Sequence, residues 1–475
     1  MTAESRTLSG LRPLRFGIIP LSLAALLPTT RPAEAIPAFA AQTGYPCIQC
    51  HIGAYGPQLT PFGREFKMSG YTITGGEGWV SHVPIAIMVQ PTFTNVAKSL
   101  PSGTSPGAPY GYNNTFAFDQ VSLFIGGNIG EHSGAFIQGV TYSQDGNEFN
   151  WDNTDIVPYT TTFDIGDKQL RVGTTLNNNP YVQDPFNTTY AWSFPYISSK
   201  LAPTPTADVM LSTGFNQNAI GYTAYAWYDS SLYLEGGFYS SLSSWALGRV
   251  GNGFGIGNTV SPAPYLRAAY QWQWNDQQAH VGGTFMYADV NPTIDTFATS
   301  SAFGQDRYTD YSVDAGYQFL GDGTHIATAQ AIYTHENQNL NGSTGFYNNA
   351  NGTALGSGYN LNTFQANVSY WYKNTYGLTL GWQKSWGAAN PVLYQTGEAL
   401  SGSANGKPNS NDFIIEADWV PFGKEESLWR PLANFKIGVQ YIAYTQFNGG
   451  TKNYDGFGRN AGDNNALMLF AWMIF

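Results

Sequence analysis

The chain has 475 residues, of which 11% are charged and 15% aromatic, with 54 glycines and a formal net charge of −11. That length would ordinarily mean about three soluble domains, yet soluble domains carry about 25% charged residues, so the composition argues against them. The acidic balance excludes a nucleic-acid binder, and a mean hydropathy of −0.24 without a long apolar run after Thr30 excludes a bundle of membrane helices.

Arg6, Arg12 and Arg15 precede an uncharged stretch from Phe16 to Thr30, mostly apolar over Gly17–Leu27, and Ala33-Glu34-Ala35 has the small-x-small cleavage pattern. Residues 1–35 read as a secretory signal, too short for a spanning helix, which needs roughly 20 apolar residues. Cleavage after Ala35 starts the mature chain near Ile36 and leaves an exported, acidic protein.

Residues 36–80 hold both cysteines of the chain, in one pentapeptide, Cys47-Ile48-Gln49-Cys50-His51. C-x-x-C-H is the attachment signature of a c-type haem. The two sulfurs form thioethers to the porphyrin vinyls, and the adjacent imidazole is the proximal iron ligand. A disulfide-forming C-x-x-C suits an oxidising compartment but has no need of His51. A zinc site would need two more ligands, and no second C-x-x-C or H-x-x-H pair is present. The motif therefore predicts one covalently attached haem c and a one-electron redox centre. Pro57, Pro61, Gly63, Gly70, Gly75, Gly76 and Gly78 crowd the same segment. It is too short to bury a full core, so it should lean on the rest of the protein.

From about Val83 to Phe475 the pattern has period two. Leu266, Ala268, Tyr270, Trp272 and Trp274 alternate with Arg267, Ala269, Gln271 and Gln273. Tyr311, Val313, Ala315, Tyr317 and Phe319 alternate with Ser312, Asp314, Gly316 and Gln318. Similar alternation covers Phe364–Tyr372, Asp412–Trp419 and Phe435–Ala443. A strand places each set on one side, whereas a helix would scatter them. Asn341–Leu361 and Thr396–Asn411 are rich in Asn, Gly, Ser and Thr and read as surface loops. With no charged linker, residues 83–475 read as one domain. About 25 residues per strand and turn gives roughly 16 strands, an even number as bacterial barrels prefer. The fold class predicted is mainly β: a transmembrane antiparallel β-barrel carrying a small N-terminal c-type cytochrome segment. The chain ends in an apolar run, Leu467 to Phe475, similar to the assembly signal of bacterial outer-membrane proteins.

Further residues carry a resemblance. They are Ile36-Pro37-Ala38-Phe39-Ala40-Ala41-Gln42-Thr43-Gly44 before the motif, then Pro61-Phe62-Gly63-Arg64-Glu65-Phe66-Lys67 and Gly70-Tyr71-Thr72. Near the end stand Phe447-Asn448-Gly449-Gly450, Asn453-Tyr454-Asp455-Gly456, Gly458-Arg459-Asn460-Ala461 and Asp463-Asn464-Asn465. Together these resemble the fused outer-membrane cytochrome–porin family, which includes the monohaem iron-oxidising outer-membrane cytochromes. The N-terminal block is specific and the middle strands are generic. The resemblance implies a monohaem segment on or in a porin-like barrel of the outer membrane, at its periplasmic side or within its lumen. It implies oxidation of extracellular Fe(II) and passage of the electron to a periplasmic cytochrome or copper protein. Cys47 and Cys50 match the attaching pair and His51 the proximal ligand.

Members of that family often carry Met after Gly-Tyr-Thr, where this chain has Ile73. The substitute candidates for the distal ligand are Met68, His82 and Met88, with Met68 favoured because it lies in the same segment and a thioether raises the potential relative to a second imidazole. Arg64 and Lys67 could pair with the haem propionates. The lumen carboxylates Asp314, Glu416 and Asp418 could attract Fe(II), a cation with oxygen affinity. The expected activity is that of an Fe(II):cytochrome c oxidoreductase-type electron-transfer protein without acid–base or nucleophilic residues. The alternatives are a haem-bearing porin for solute diffusion, electron export to extracellular metal, and a disulfide oxidoreductase fused to a barrel.

Overall fold

The computed structural model describes residues 37–104, 111–142, 149–295, 298–395, 397–427, 429 and 431–475. The secretory signal expected over residues 1–35, and its cleavage to leave Ile36, lie outside them. Among the described residues one sheet contains nineteen strand segments, of which Phe149–Asn150, Gly257–Thr259 and Ala298–Thr299 are short fragments. The other sixteen are the staves of a closed antiparallel barrel. They begin with β1 (Ile85–Val96), β2 (Thr115–Gly130), β3 (Ser133–Tyr142), β4 (Thr154–Ile165), β5 (Lys168–Asn177) and β6 (Ala219–Tyr228). They continue with β7 (Leu232–Ser241), β8 (Ala263–Trp274), β9 (Gln277–Asp295), β10 (Asp306–Phe319) and β11 (His325–Leu340). The last are β12 (Gly358–Tyr372), β13 (Tyr376–Gly387), β14 (Ser410–Trp419), β15 (Asn434–Gln446) and β16 (Ala466–Ile474). Closure is between the ends of the series: Met88 pairs with Ile474, Thr92 with Phe470 and Val96 with Ala466. Among the described residues every stave is paired on both sides, which is the condition for crossing hydrocarbon with strands.

The period-two pattern sets which face looks out. On β8, Leu266, Tyr270, Trp272 and Trp274 are exposed while Arg267, Ala269 and Gln271 are buried. On β10, Tyr311, Val313, Tyr317 and Phe319 point outward, and Ser312, Asp314 and Gln318 point in. Apolar residues outside and polar residues inside invert the order of a soluble core. That inversion suits an outer surface solvated by lipid tails. The architecture is that of an outer-membrane barrel.

One end of the barrel carries the short connections, such as Asn275–Asp276 between β8 and β9 and residues 373–375 between β12 and β13. Lys373 and Asn374 there adopt φ of 52° and 49°, the left-handed pair that lets a tight hairpin follow the strand twist. The other end carries the long ones. Short turns mark the periplasmic end of such barrels and long loops the outside. Residues 341–351, expected within a loop, form a helix at the long-loop end, and Gly358–Leu361 already belong to β12.

Two pieces of chain fill the lumen. The N-terminal segment enters at the short-turn end as α1 (Pro37–Thr43), α2 (Cys47–Cys50) and α3 (Pro61–Met68). Phe39 stacks on Tyr71 with ring centroids 5.3 Å apart and meets Phe66 edge-on at 5.0 Å, a small cluster completed by Val157 of β4. The segment buries its apolar side against the barrel wall. The second piece is the long connection between β5 and β6, residues 178–218, which folds inward. Its Asp184 meets Arg267 of β8 at 2.9 Å, and Arg267 also holds Asp314 of β10 at 2.7 Å. Its Leu211 N–H donates to Asp310 at 2.9 Å, and its Tyr190 hydroxyl bonds Thr334 at 2.8 Å and Thr363 at 2.6 Å.

Candidate functional site

The C-x-x-C spacing becomes one turn of helix, α2, entered from Pro46 in extended conformation. Positions three apart share a helix face, so Cys47 and Cys50 look the same way. The His51 N–H closes the turn on the Cys47 carbonyl at 2.8 Å, and the chain then runs extended (φ −122°, ψ 137°) into a bridge with Leu59. Cys47, Cys50 and His51 thereby line one cavity of about 560 Å³ at the short-turn end of the lumen.

Close approaches hold this turn in place. Thr60 caps α3, accepting from the Gly63 N–H at 3.2 Å, and its own N–H donates to the Cys50 carbonyl at 2.9 Å. A Cβ on Gly63 would collide with that carbonyl, so only glycine lets α3 cross the motif this closely. Gly53 has φ of 71° and lies flat on the Trp371 indole, where a Cβ would overlap the ring. From the barrel wall, Asn434 donates to the Ala54 carbonyl at 2.8 Å and reaches the Cys47 Sγ at 3.5 Å. Gly53 N–H donates to the Asn374 side chain at 2.8 Å.

The chemistry of the three motif residues distinguishes the readings of the pair. Both cysteines are buried and are not joined in a disulfide. Burial pushes the Cys50 thiol up to about 12. A reactive dithiol needs the opposite shift, so the site is poorly suited to thiol–disulfide exchange. Burial also brings the His51 imidazole down to about 4, with the Gly56 backbone opposing, which keeps the ring neutral and able to donate a lone pair. Its Nδ1 is buried with no hydrogen-bond partner. Among the described residues no group of three or more His, Cys, Asp or Glu could hold a bare metal ion. The cavity falls within the range of about 300–1,000 Å³ common for cofactor sites. Phe39, Phe66, Phe124, Phe136 and Trp192 supply aromatic walls. Two thiols on one face and a neutral imidazole, beside a cavity with aromatic walls on one side and amide side chains on the other, are a donor set that fits a covalently attached haem.

The remaining sequence candidates are distributed unevenly. Helix α3 turns Gly63, Phe66 and Lys67 toward the cavity, whereas Arg64 and Met68, four apart, face the barrel wall. Met68 is 2% exposed and packs on Phe186, Tyr225 and Trp227, away from the motif. His82 lies at the rim, its Nδ1 3.0 Å from the Ser81 hydroxyl, and does not line the cavity. Met88 of β1 does line it, its sulfur accepting from Trp472 Nε1 at 2.6 Å. Arg64 donates to Gln271 at 2.8 Å and also to Gln278 and Gln318, inward residues of β8, β9 and β10. Lys67 Nζ donates to the Val182 and Asp184 carbonyls and to Asn187 Oδ1, each at 2.7 Å. These two cations rivet the segment to the wall and to the infolded loop. Asp314 is held by Arg267, and Glu416 and Asp418 each lie 3.4 Å from Lys436. Each of the three thus already has a cation beside it, shared with a second carboxylate. Asn434 and Trp472 also line the site. Asn434 stands 387 residues from Cys47 and Trp472 farther still, and no local signal in the sequence marks them.

No protein-family model matches the chain, and no curated protein does. Solved structures similar to it include an anion-selective porin from Comamonas acidovorans (12% identity, 82% of this chain and 98% of that one, TM-score 0.42). The outer-membrane channel DcaP of Acinetobacter baumannii is similar at 12% identity over 82% and 96% of the two chains, TM-score 0.43. OprB of Pseudomonas putida is similar at 11% identity over 82% and 93%, TM-score 0.46. Likeness at this level is too weak to carry a function from one chain to another. The fold stands on its own closure and faces: this chain is a sixteen-stranded transmembrane β-barrel whose lumen contains a C-x-x-C-H turn.

Proposed function

We propose that the chain is an outer-membrane c-type cytochrome built into a barrel, which oxidises extracellular Fe(II) and passes the electron to a soluble periplasmic cytochrome or copper protein. The observation that supports this is the cavity shared by Cys47, Cys50 and His51 inside the lumen, at the short-turn end. Cys47 and Cys50 would carry the thioethers and His51 the proximal bond, and Met88 is the thioether on the same cavity for the distal position. A haem c bound there supplies a one-electron iron couple, and a Met ligand raises its potential relative to a second His. The residues around it hold the turn rigid and keep lipid away. Asn434 anchors the Cys47 end, α3 closes over Cys50, and Phe39, Phe124 and Trp192 supply a wall of low polarity. The net change is one electron from Fe(II), leaving Fe(III), to one oxidised carrier. No proton or group moves.

The test is a covalent haem band in a denaturing gel, followed by stopped-flow absorbance on mixing the oxidised protein with Fe(II). Reduction of the haem by Fe(II) supports the reading, and a haem that stays oxidised refutes it. The second reading is a diffusion channel for small solutes, and the named porins and channels accord with it better than with iron oxidation. Electron export to extracellular metal would use the same site in reverse, and the midpoint potential bears on that direction.

A further inference from the structure

A haem at the short-turn end leaves a gap: the hydrocarbon layer is about 30 Å thick, too far for one centre to reach a donor outside. The lumen suggests how the gap is closed. A second cavity, of about 520 Å³, reaches the long-loop end at Asn150, Asn252 and Gly253. It shares Gln90, Gln120, Asp152, Tyr196, Ser198 and Asn216 with the cavity of the motif. The two spaces therefore meet, between the β1–β2 wall and the infolded loop, which lines both of them through Tyr196, Ser198 and Asn216.

We infer that this is a continuous polar passage that conducts hydrated divalent cations from the outside down to the motif cavity. The substrate comes to the redox centre, so no electron has to cross the lumen. The part that concerns Fe(II) rests on the proposed function; the passage itself does not. Its charged lining is two carboxylates, Asp119 and Asp152, and one cation, Lys200. Asp152 accepts from Gln120 at 3.3 Å and from Gln217. Asp119 accepts from the Thr92 hydroxyl at 2.6 Å and from the Lys200 backbone N–H at 3.1 Å. Within this cavity carboxylates outnumber cations two to one, which favours cations along the route. At the junction, Asn216 Oδ1 is buried without a hydrogen-bond partner, an oxygen ready for a water or a hydrated ion. Hard cations take oxygen ligands and keep their waters. Six waters occupy roughly 200 Å³ at about 30 Å³ each, so either cavity holds a hexahydrated ion.

The experiment is conductance of the purified full-length protein in planar bilayers under a salt gradient, with Mg²⁺ as a redox-silent divalent probe. Wild type is expected to show a small, cation-selective conductance. Asn216→Trp and, at a second position of the junction, Gln120→Trp should each cut it at least fivefold, with unheated gel mobility reporting that the barrel has folded. Asp152→Asn should lower the cation-to-anion permeability ratio severalfold without closing the path. Wild type that does not conduct or prefers anions overturns the passage, as does unchanged conductance in both folded Trp variants. The haem is read separately by absorbance. If Fe(II) fails to reduce it while the cation conductance behaves as stated, the redox reading falls and the passage stands. If the Trp variants slow Fe(II)-driven reduction at least fivefold as well, the passage is the substrate's route; if they block conductance and leave the reduction rate unchanged, it is not.

Discussion

Arg267 should decide whether the infolded loop stays in the lumen. It is fully buried on β8, with a two-pronged bond to Asp314 (2.7 and 3.0 Å), a third contact to Asp184 of the loop at 2.9 Å and a fourth to Thr284 at 3.1 Å. Arg267→Ala leaves two buried carboxylates facing each other without their cation. Truncating one partner of a buried ion pair costs about 3–5 kcal/mol, and the loss of two pairs at once argues for the upper end. Because Asp184 belongs to residues 178–218, that cost can be relieved by the loop leaving the wall. The variant should therefore convert from compact to unfolded gel mobility at lower temperature, become sensitive to protease within residues 178–218, and conduct more ions than wild type. Arg267→Lys keeps the charge but not the fork and should fall between the two. Lys168→Ala, which breaks the exposed pair with Asp229, is the control and should leave the unfolding transition where wild type has it. If Arg267→Ala keeps wild-type stability to within about 0.5 kcal/mol and wild-type conductance, the clamp does not hold the loop.

Other variants separate the parts of the account. Gly63→Val should abolish covalent haem attachment in a barrel that still folds, since its side chain would push α3 off the Cys50 carbonyl; normal haem staining would contradict the close approach seen there. Met88→Ala should change the magnetic spectrum and lower the midpoint potential of the haem. Met68→Ala should leave both unaltered while costing about 2–5 kcal/mol as a core cavity, and the reverse result would exchange their roles. Leu266→Arg, placing a charge on the lipid face, should cost about 2–4 kcal/mol by urea titration in detergent or lipid if that strand lies near mid-bilayer.

The barrel was legible in the sequence because strand periodicity needs no distant partner. Leu266, Tyr270 and Trp272 share a face whatever lies next to them, and the outward set proved to be the apolar one. The motif was legible for the same reason, since C-x-x-C-H is local chemistry. What needed phase or a distant partner was not. Met68 is near His51 along the chain, but the turn of α3 carries it and Arg64 to the wall while Gly63 and Phe66 face the cavity. Asp314, Glu416 and Asp418 look available in the sequence because Lys436 sits on the neighbouring strand and Arg267 two strands away, not beside them along the chain. The inward path of residues 178–218 rests on such contacts too: Asp184 with Arg267, Leu211 with Asp310, Tyr190 with Thr334.

The central claim is that a haem is covalently held within the lumen of a membrane barrel. The most direct measurement is the visible spectrum and haem stain of the detergent-purified protein, run heated and unheated on the same denaturing gel. The account predicts a Soret band and haem stain that shifts with the protein between compact and unfolded mobility, and that is lost in Cys47→Ala/Cys50→Ala. A protein without Soret absorption, or one that is soluble and folded without detergent, would contradict it.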